Sequence, residues 1–257
     1  MRWADDGIFL SGRPRGETSV IANIFTRANG RTHGLVKGGR SRRIRPILQT
    51  GNGLTVEWRA RLEDQLGVYT VELTEPTAAR ILDDKLALAG VNAVVALLQA
   101  LPERDPHPKL FDAVNECLAQ AASAAFPASI TRFELTLLDE LGFGLNLSKC
   151  AATGSAENLI YVSPRSGQAV SRDAGEPYRD KLLPLPAFLL AGAITSGSPD
   201  GRDVARGLAM TGYFLSTHVF AEIGKAMPKA REDFARLIER SASELAPAAG
   251  VISATGR

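Results

Sequence analysis

The sequence predicts an α+β protein of more than one domain: an N-terminal five-stranded barrel of the OB type, then an α-helical region carrying an irregular insert. Three observations carry that prediction. Residues 6–75 hold five short segments rich in β-branched and aromatic residues, separated by turn signals. From Thr77 the chain becomes rich in alanine and leucine and loses strand-like alternation. Residues 146–182 then turn polar and Gly/Ser-rich before helical spacing resumes.

The strands are expected at Gly7–Ser11, Ser19–Thr26, Arg31–Val36, Leu54–Trp58 and Gly67–Leu73. Asn29-Gly30 is a strong hairpin signal between the second and third. Five strands in about 75 residues suit a small closed barrel, of which the OB-fold is the usual form, although composition alone does not separate it from an SH3-like barrel. Pro76 marks the boundary, because the first turn of a helix tolerates proline. Helices are expected over Thr77–Leu101, 109–125 and Ile130–Leu141. In the last of these, Ile130, Phe133, Leu137, Leu138 and Leu141 share a face. Leu159-Ile160-Tyr161-Val162 is a short strand within the insert, and helices follow at about Ala187–Ala193, Val204–Ala226 and Lys229–Ser241. The domains therefore read as 1–76 and 77–241, with 242–257 a weakly periodic, mobile tail.

With 45% hydrophobic and 23% charged residues the 257-residue chain can build a real core. No apolar run reaches bilayer-spanning length and the N-terminus has no signal-like apolar stretch, so a cytoplasmic protein with no membrane partner is expected. The overall charge of +2 conceals polarity. Residues 1–61 contain twelve Lys/Arg and four acids, a net +8, which leaves −6 on the remaining 196 residues. An anionic partner for the N-terminal part follows, nucleic acid ahead of an acidic membrane surface.

Three segments in order carry a resemblance. The first is Gly12-Arg13-Pro14-Arg15-Gly16-Glu17-Thr18-Ser19, with Phe25-Thr26, the Gly30 hairpin, and Leu35-Val36-Lys37-Gly38-Gly39-Arg40-Ser41-Arg42-Arg43. The second is Arg132-Phe133-Glu134-Leu135-Thr136-Leu137-Leu138-Asp139-Glu140-Leu141-Gly142-Phe143-Gly144, with Leu147 and Cys150; the third is Ser163-Pro164-Arg165-Ser166-Gly167. Together, across about residues 7–175, they resemble the RecO family. The resemblance implies an OB-fold, a helical domain with a zinc-finger-like insert, and recombinational DNA repair. It further implies binding of single- and double-stranded DNA, strand annealing, and recombinase loading onto strands coated by single-stranded-DNA-binding protein, with RecR as partner. Metal-binding members carry two Cys-x-x-Cys pairs. Here those positions read Cys150-Ala151-Ala152-Thr153 and Ser171-Arg172-Asp173-Ala174, and one thiolate cannot hold tetrahedral zinc. The insert is expected to be degenerate, without metal or other cofactor, and held by packing and hydrogen bonds.

Lys37, Arg40, Arg42, Arg43 and Arg45 place five cations in nine residues on a glycine-hinged loop. Mobile cations can follow an irregular phosphate backbone, and arginine stacks on unpaired bases. The bland alternative is a solvated charge run. Arg13, Arg15 and Arg31, with Arg27, would extend the path across the barrel, or are ordinary surface charge. The aromatic candidates for base stacking are Phe9, Phe25, Trp58 and Tyr69, beside Trp3; Phe9 and Phe25 read as core, Trp58 as core or platform, and none is assigned as a base platform. Arg132 and Phe133 on the apolar-striped helix are candidates for docking the acidic, hydrophobic tail of single-stranded-DNA-binding protein, with Lys225, Lys229 and Arg231 as secondary candidates. The other reading of Arg132 is an internal ion pair with Glu134, Asp139, Glu140 or an acid on another helix.

Catalysis finds little support. Asp83-Asp84 sits within the expected first helix, where neighbours point apart, and His33, His107 and His218 are scattered. Phosphate-loop, nucleophile-elbow and His-Glu-x-x-His motifs are missing. The leading reading is a non-enzymatic DNA-binding mediator. A protein- or RNA-binding adaptor without annealing activity stands second, and a nuclease a distant third.

Overall fold

The computed structural model describes residues 1–62, 65–191 and 198–244. Five strands, β1 (Arg2–Arg15), β2 (Ser19–Thr26), β3 (Gly30–Val36), β4 (Gly53–Arg59) and β5 (Gly67–Glu75), lie in the order β1-β2-β3-β5-β4. The sheet closes where β4 pairs back onto β1. β3 and β5 are parallel over Gly34–Val36 and Gly67–Tyr69, and the other neighbours are antiparallel. Closure depends on β1 serving two partners: Arg2–Ile8 pairs with β4 and Gly7–Arg15 with β2. A bulge between Phe9 and Ser11 bends the strand, which lets one strand turn the corner of a small barrel. β1 is longer at both ends than its apolar stretch Gly7–Ser11, because pairing extends into polar flanks.

Alternation along the strands feeds two cores. Phe9, Ala22, Ile24, Val36, Leu54 and Val56 fill the barrel. Ile8, Leu10 and Phe25 point the other way and join the core of the helical region, where Phe25 meets Phe111 with ring centroids 5.8 Å apart. The barrel and the helices thus share buried surface.

The helical region contains α1 (Thr77–Arg80), α2 (Lys85–Leu98), α3 (Pro108–Ala119) and α4 (Phe126–Glu140). The single helix expected over Thr77–Leu101 is broken by Asp84. Its backbone is extended (φ −101°, ψ 102°) and its carboxylate accepts the Leu86 and Ala87 amides at 2.9 Å. That is an N-cap, so the Asp83-Asp84 pair starts a helix where mid-helix placement was expected. The insert is a small sheet of β6 (Leu159–Val162), β7 (Ala169–Ser171) and β8 (Leu183–Pro184), with the one-turn α5 (Arg172–Gly175) and a 3₁₀ stretch, Glu176–Lys181.

The helix expected at Ala187–Ala193 is a 3₁₀ turn over Ala187–Leu189, and residues 192–193 lie outside those described. α6 (Gly201–Phe214) continues as a π-helical turn, Leu215–Phe220, and α7 (Lys229–Glu244) closes the described chain. α7 occupies the beginning of the expected mobile tail, and 245–257 lie outside the described residues. Among the described residues no helix is long and apolar enough to cross a membrane.

A buried ion pair ties α4, α6 and α7 together. Arg231 Nε and Nη2 donate to Glu134 Oε1 and Oε2, both at 2.9 Å, and the Thr211 hydroxyl donates to the same carboxylate. The second Arg231 nitrogen also reaches the Leu208 carbonyl.

Candidate nucleic-acid interface

The β3–β4 connection, residues 37–52, wraps one end of the barrel. Gly38 takes φ +66°, which turns the chain out of β3. Gly39 lies against the barrel so closely that a Cβ there would stand 2.9 Å from Val20 Cβ. Leu48 is buried in the barrel core, with Ile44 and Ile47 packed beside it. The Arg45 amide donates to Ser41 O at 2.9 Å and the Leu48 amide to Ile44 O at 3.2 Å. Asn52 ties the far end: its Nδ2 donates to Pro46 O (3.2 Å) and Ile47 O (3.1 Å), while its Oδ1 accepts the Ala78 amide (3.0 Å). A mobile, glycine-hinged loop was expected; the segment is instead a pinned platform with an apolar underside.

The cations stand on the outer side of that platform. Lys37, Arg40, Arg42, Arg43 and Arg45 are exposed, as are Arg13 and Arg15 at the far end of β1. None of these seven has an ion-pair partner among the described residues. Arg40 bridges the two segments. Its amide donates to Thr18 O at 3.0 Å, and its guanidinium donates to Glu17 O at 2.9 Å and Gly16 O at 3.5 Å. Carbonyls anchor the side chain without neutralising it. Between loop and strand lies an open groove of about 670 Å³, lined by Phe9, Gly12, Pro14, Arg40, Arg45 and Gln49 among others. Chemically the arrangement is an exposed cluster of positive charge, with Arg40 and Arg45 on a concave floor, suited to an extended polyanion.

Two arginines do not belong to that row. Arg31 is a latch between the barrel and the helices: its Nε donates to Leu101 O at 3.0 Å and its Nη1 approaches Glu103 at 3.7 Å. Burial lowers its pKa while Glu103 opposes that shift. Arg27 pairs with Asp112 at 2.8 Å. Both face the α2–α3 and α3 side of the barrel, which corrects the expectation of a cationic path through them.

The partner-docking candidates are also separated. Arg231 is consumed by Glu134, and Phe133 is buried in the core, so neither is a surface contact. Arg132 is exposed and pairs with no carboxylate among the described residues. Its Nη2 donates to Phe188 O at 3.2 Å and its guanidinium lies 5.3 Å from the Phe188 ring centre. It edges a small cavity of about 110 Å³ with Cys117, Gln120 and Thr136. Lys225 and Lys229 are exposed and do not line that cavity.

In the insert, Cys150 and Ser171, the leading positions of the two segments compared above with Cys-x-x-Cys pairs, meet. Cys150 Sγ accepts from the Ser171 amide at 3.2 Å and lies 3.3 Å from the Ser171 hydroxyl. Burial pushes the Cys150 thiol up, but donors from Ser171 and Thr153 outweigh it and bring the thiol down to about 6. Hydrogen bonds join the two halves of the insert at this point. Among the described residues no three His, Cys, Asp or Glu side chains gather to hold a metal.

The aromatic residues that the sequence left without a role come together at the other end of β1, which the sequence did not indicate. Trp3 stacks on Trp58 with ring centroids 5.5 Å apart, and the two line a pocket of about 460 Å³ with Arg104 and His33. The signal available was the tryptophan itself, two residues from the start of the chain and outside the apolar stretch assigned to the strand.

Comparison with known proteins supplies the context for this surface. The family model described as "Recombination protein O N terminal" matches residues 1–77, and "Recombination protein O C terminal" matches residues 82–226. Among similar proteins, the DNA repair protein RecO of Methylobacterium nodulans is 51% identical over 240 residues, covering 92% of this chain and 98% of its own length. Those of Chelativorans sp. and Beijerinckia indica are 46% and 47% identical, covering 95% and 96% of this chain and 98% and 99% of their own.

Proposed function

The chain belongs to the RecO family, and from that premise we propose that it works in recombinational DNA repair by holding single-stranded DNA on the arginine platform and annealing complementary strands. The observation that carries the reading is the set Arg13, Arg15, Lys37, Arg40, Arg42, Arg43 and Arg45: exposed and without carboxylate partners among the described residues, with Arg40 and Arg45 lining one groove. The barrel, with its strand order and its basic rim, is read as an OB-fold presenting that groove. Screening phosphates on two strands while leaving base edges free lowers the repulsion that keeps complementary strands apart. Double-stranded DNA is bound by the same phosphate contacts.

The mediator role extends this reading. Assistance to recombinase loading needs contact with strands coated by single-stranded-DNA-binding protein. Arg132, exposed beside Phe188, is the proposed contact for the acidic tail of that protein, with Lys225 and Lys229 as outlying cations. RecR is the proposed partner in loading. No enzymatic step is part of the proposal.

Annealing of two complementary labelled oligonucleotides tests it, comparing the natural chain with one in which Arg40, Arg42, Arg43 and Arg45 are all changed to Ala. Loss of annealing with folding retained is expected. Four to seven phosphate contacts at about 0.7 each give a log–log salt slope of about −3 to −5 for single-strand binding. No annealing by the natural chain at low or moderate salt overturns the proposal in favour of a protein-binding adaptor. Undiminished annealing by the variant removes the platform from the mechanism.

A further inference from the structure

The chain has two tryptophans, and both line the pocket at the opposite end of β1 from the arginine groove. Trp3 and Trp58 have nearly parallel planes, 13° apart, and Tyr69 meets Trp3 edge-on at 6.0 Å. Two glycines reserve the space: a Cβ on Gly67 would stand 2.2 Å from the Trp58 ring, and one on Gly34 2.3 Å from that of Tyr69. Trp58 is 4% exposed and donates its indole N–H to His33 O at 3.3 Å, so it is the fixed floor of the stack. Trp3 is half-buried and forms the outer leaf.

Arg104 stands on the same rim. Its φ of +60° lies in the left-handed region, which side-chain-bearing residues seldom adopt and which is retained chiefly where a site uses it. Of the polar groups lining the pocket, Arg2 is taken by Glu57 at 3.1 Å, the Met1 ammonium donates to Ala60 O at 2.7 Å, and the His33 ring lies 3.2 Å from Glu103. Arg104 has no carboxylate partner among the described residues. A pocket of about 460 Å³ falls in the range that encloses a small aromatic ligand.

We infer that this pocket receives one unpaired nucleobase of a DNA strand, stacked against Trp3, with Arg104 on the adjoining phosphate. The inference rests on the single-strand-binding reading above, which uses only the other end of the barrel. From Trp3 to Gly12 is roughly 30 Å of strand at about 3.3 Å per residue, so a short single strand can reach both sites.

Because Trp3 and Trp58 are the only tryptophans, indole emission reports this pocket alone. The full chain is titrated with a labelled oligothymidylate, reading label anisotropy for binding and tryptophan emission for stacking. Quenching in step with anisotropy is expected, whereas an abasic oligonucleotide of equal length raises anisotropy without quenching. Trp3→Ala weakens oligothymidylate about tenfold, within the range for losing one stacked base, and Trp3→Phe recovers most of that. Arg104→Gly removes the cation at a φ that glycine adopts without strain, and its melting temperature checks the fold; it weakens binding and makes the salt slope shallower by about 0.7.

Normal anisotropy with unmoved emission, and Trp3→Ala and Arg104→Gly both binding as the natural chain does, overturns the pocket and leaves the DNA reading standing. Absence of any anisotropy change overturns both. Quenching by thymidine monophosphate at the same concentration as by the oligonucleotide assigns the pocket to free nucleotides and overturns the strand-borne base.

Discussion

Removing Arg231 while leaving Glu134 in place is the most informative perturbation of the helical region. Glu134 is fully buried and the Arg231 side chain is 6% exposed, so neither charge has water to fall back on. In Arg231→Met, Glu134 keeps the Thr211 hydroxyl and loses both guanidinium bonds of 2.9 Å. Breaking a buried pair from one side costs about 3–5 kcal/mol, because an uncompensated charge remains. For a chain of this size 1 kcal/mol moves the melting temperature by about 2–4 °C, so a drop of roughly 6–20 °C is expected by calorimetry. The double variant Glu134→Leu with Arg231→Met replaces the pair by apolar groups and should recover most of the loss. Well below the lowered melting point, annealing by Arg231→Met should match the natural chain, since the side chain is internal. A loss below about 1 kcal/mol, or a double variant as unstable as the single, would refute the reasoning.

Three further outcomes are expected. Changing Arg42, Arg43 and Arg45 together to Ala should make the salt slope of single-strand binding shallower by about 2 units, measured by anisotropy between low and moderate salt. Cys150 carries a thiol lowered in the folded state to about 6 from an ordinary value near 9. Between those values the unfolded chain holds more protons, so this group's contribution to stability is complete above about pH 9 and is lost as pH falls through about 6. Denaturation midpoints of the natural chain and Cys150→Ser, compared across pH 6 to 9, should show that rise in the former and its absence in the latter. Asp84→Ala removes the α2 cap and should cost about 1 kcal/mol, read as a fall of a few degrees in melting temperature.

The strands were legible because their signals are local: β-branched alternation, Asn29-Gly30, and proline at the boundary. What was illegible depended on partners far along the chain. Arg31 sits opposite Phe25 in the β2–β3 register, on the face covered by the helices. Counting back from the hairpin gives that pairing, but only the helical core explains why the face is covered. Arg231 shares a helical face with Phe234 and Ile238, both core residues. The spacing signalled burial, while its partner Glu134 lies on α4, where the sequence offered it as an acid for the neighbouring Arg132 and gave no sign of a pairing across 97 residues. That Trp3 faces Trp58 was not legible, because pairing with β4 extends β1 through residues that carry no apolar pattern of their own.

The composition of the arginine platform matters as much as its charge. Ordering a residue costs about 1–2 kcal/mol of backbone entropy, and a loop that became ordered only on DNA would subtract that from every contact made. Ile44, Ile47 and Leu48 have already been packed onto the barrel, and Asn52 has already been bonded, before any strand arrives. The same local sequence therefore divides its labour by side: apolar residues inward to hold the backbone, arginines outward, where the proposed phosphate contacts would form. Such contacts would be held together by charge and weakened by salt, so in the proposed function a strand would be gripped and then exchanged for its complement. A platform that also read bases tightly along its length would hold one strand and oppose annealing. Base stacking confined, as proposed, to a single pocket at the far end of β1 would keep the rest of the bound strand free to pair.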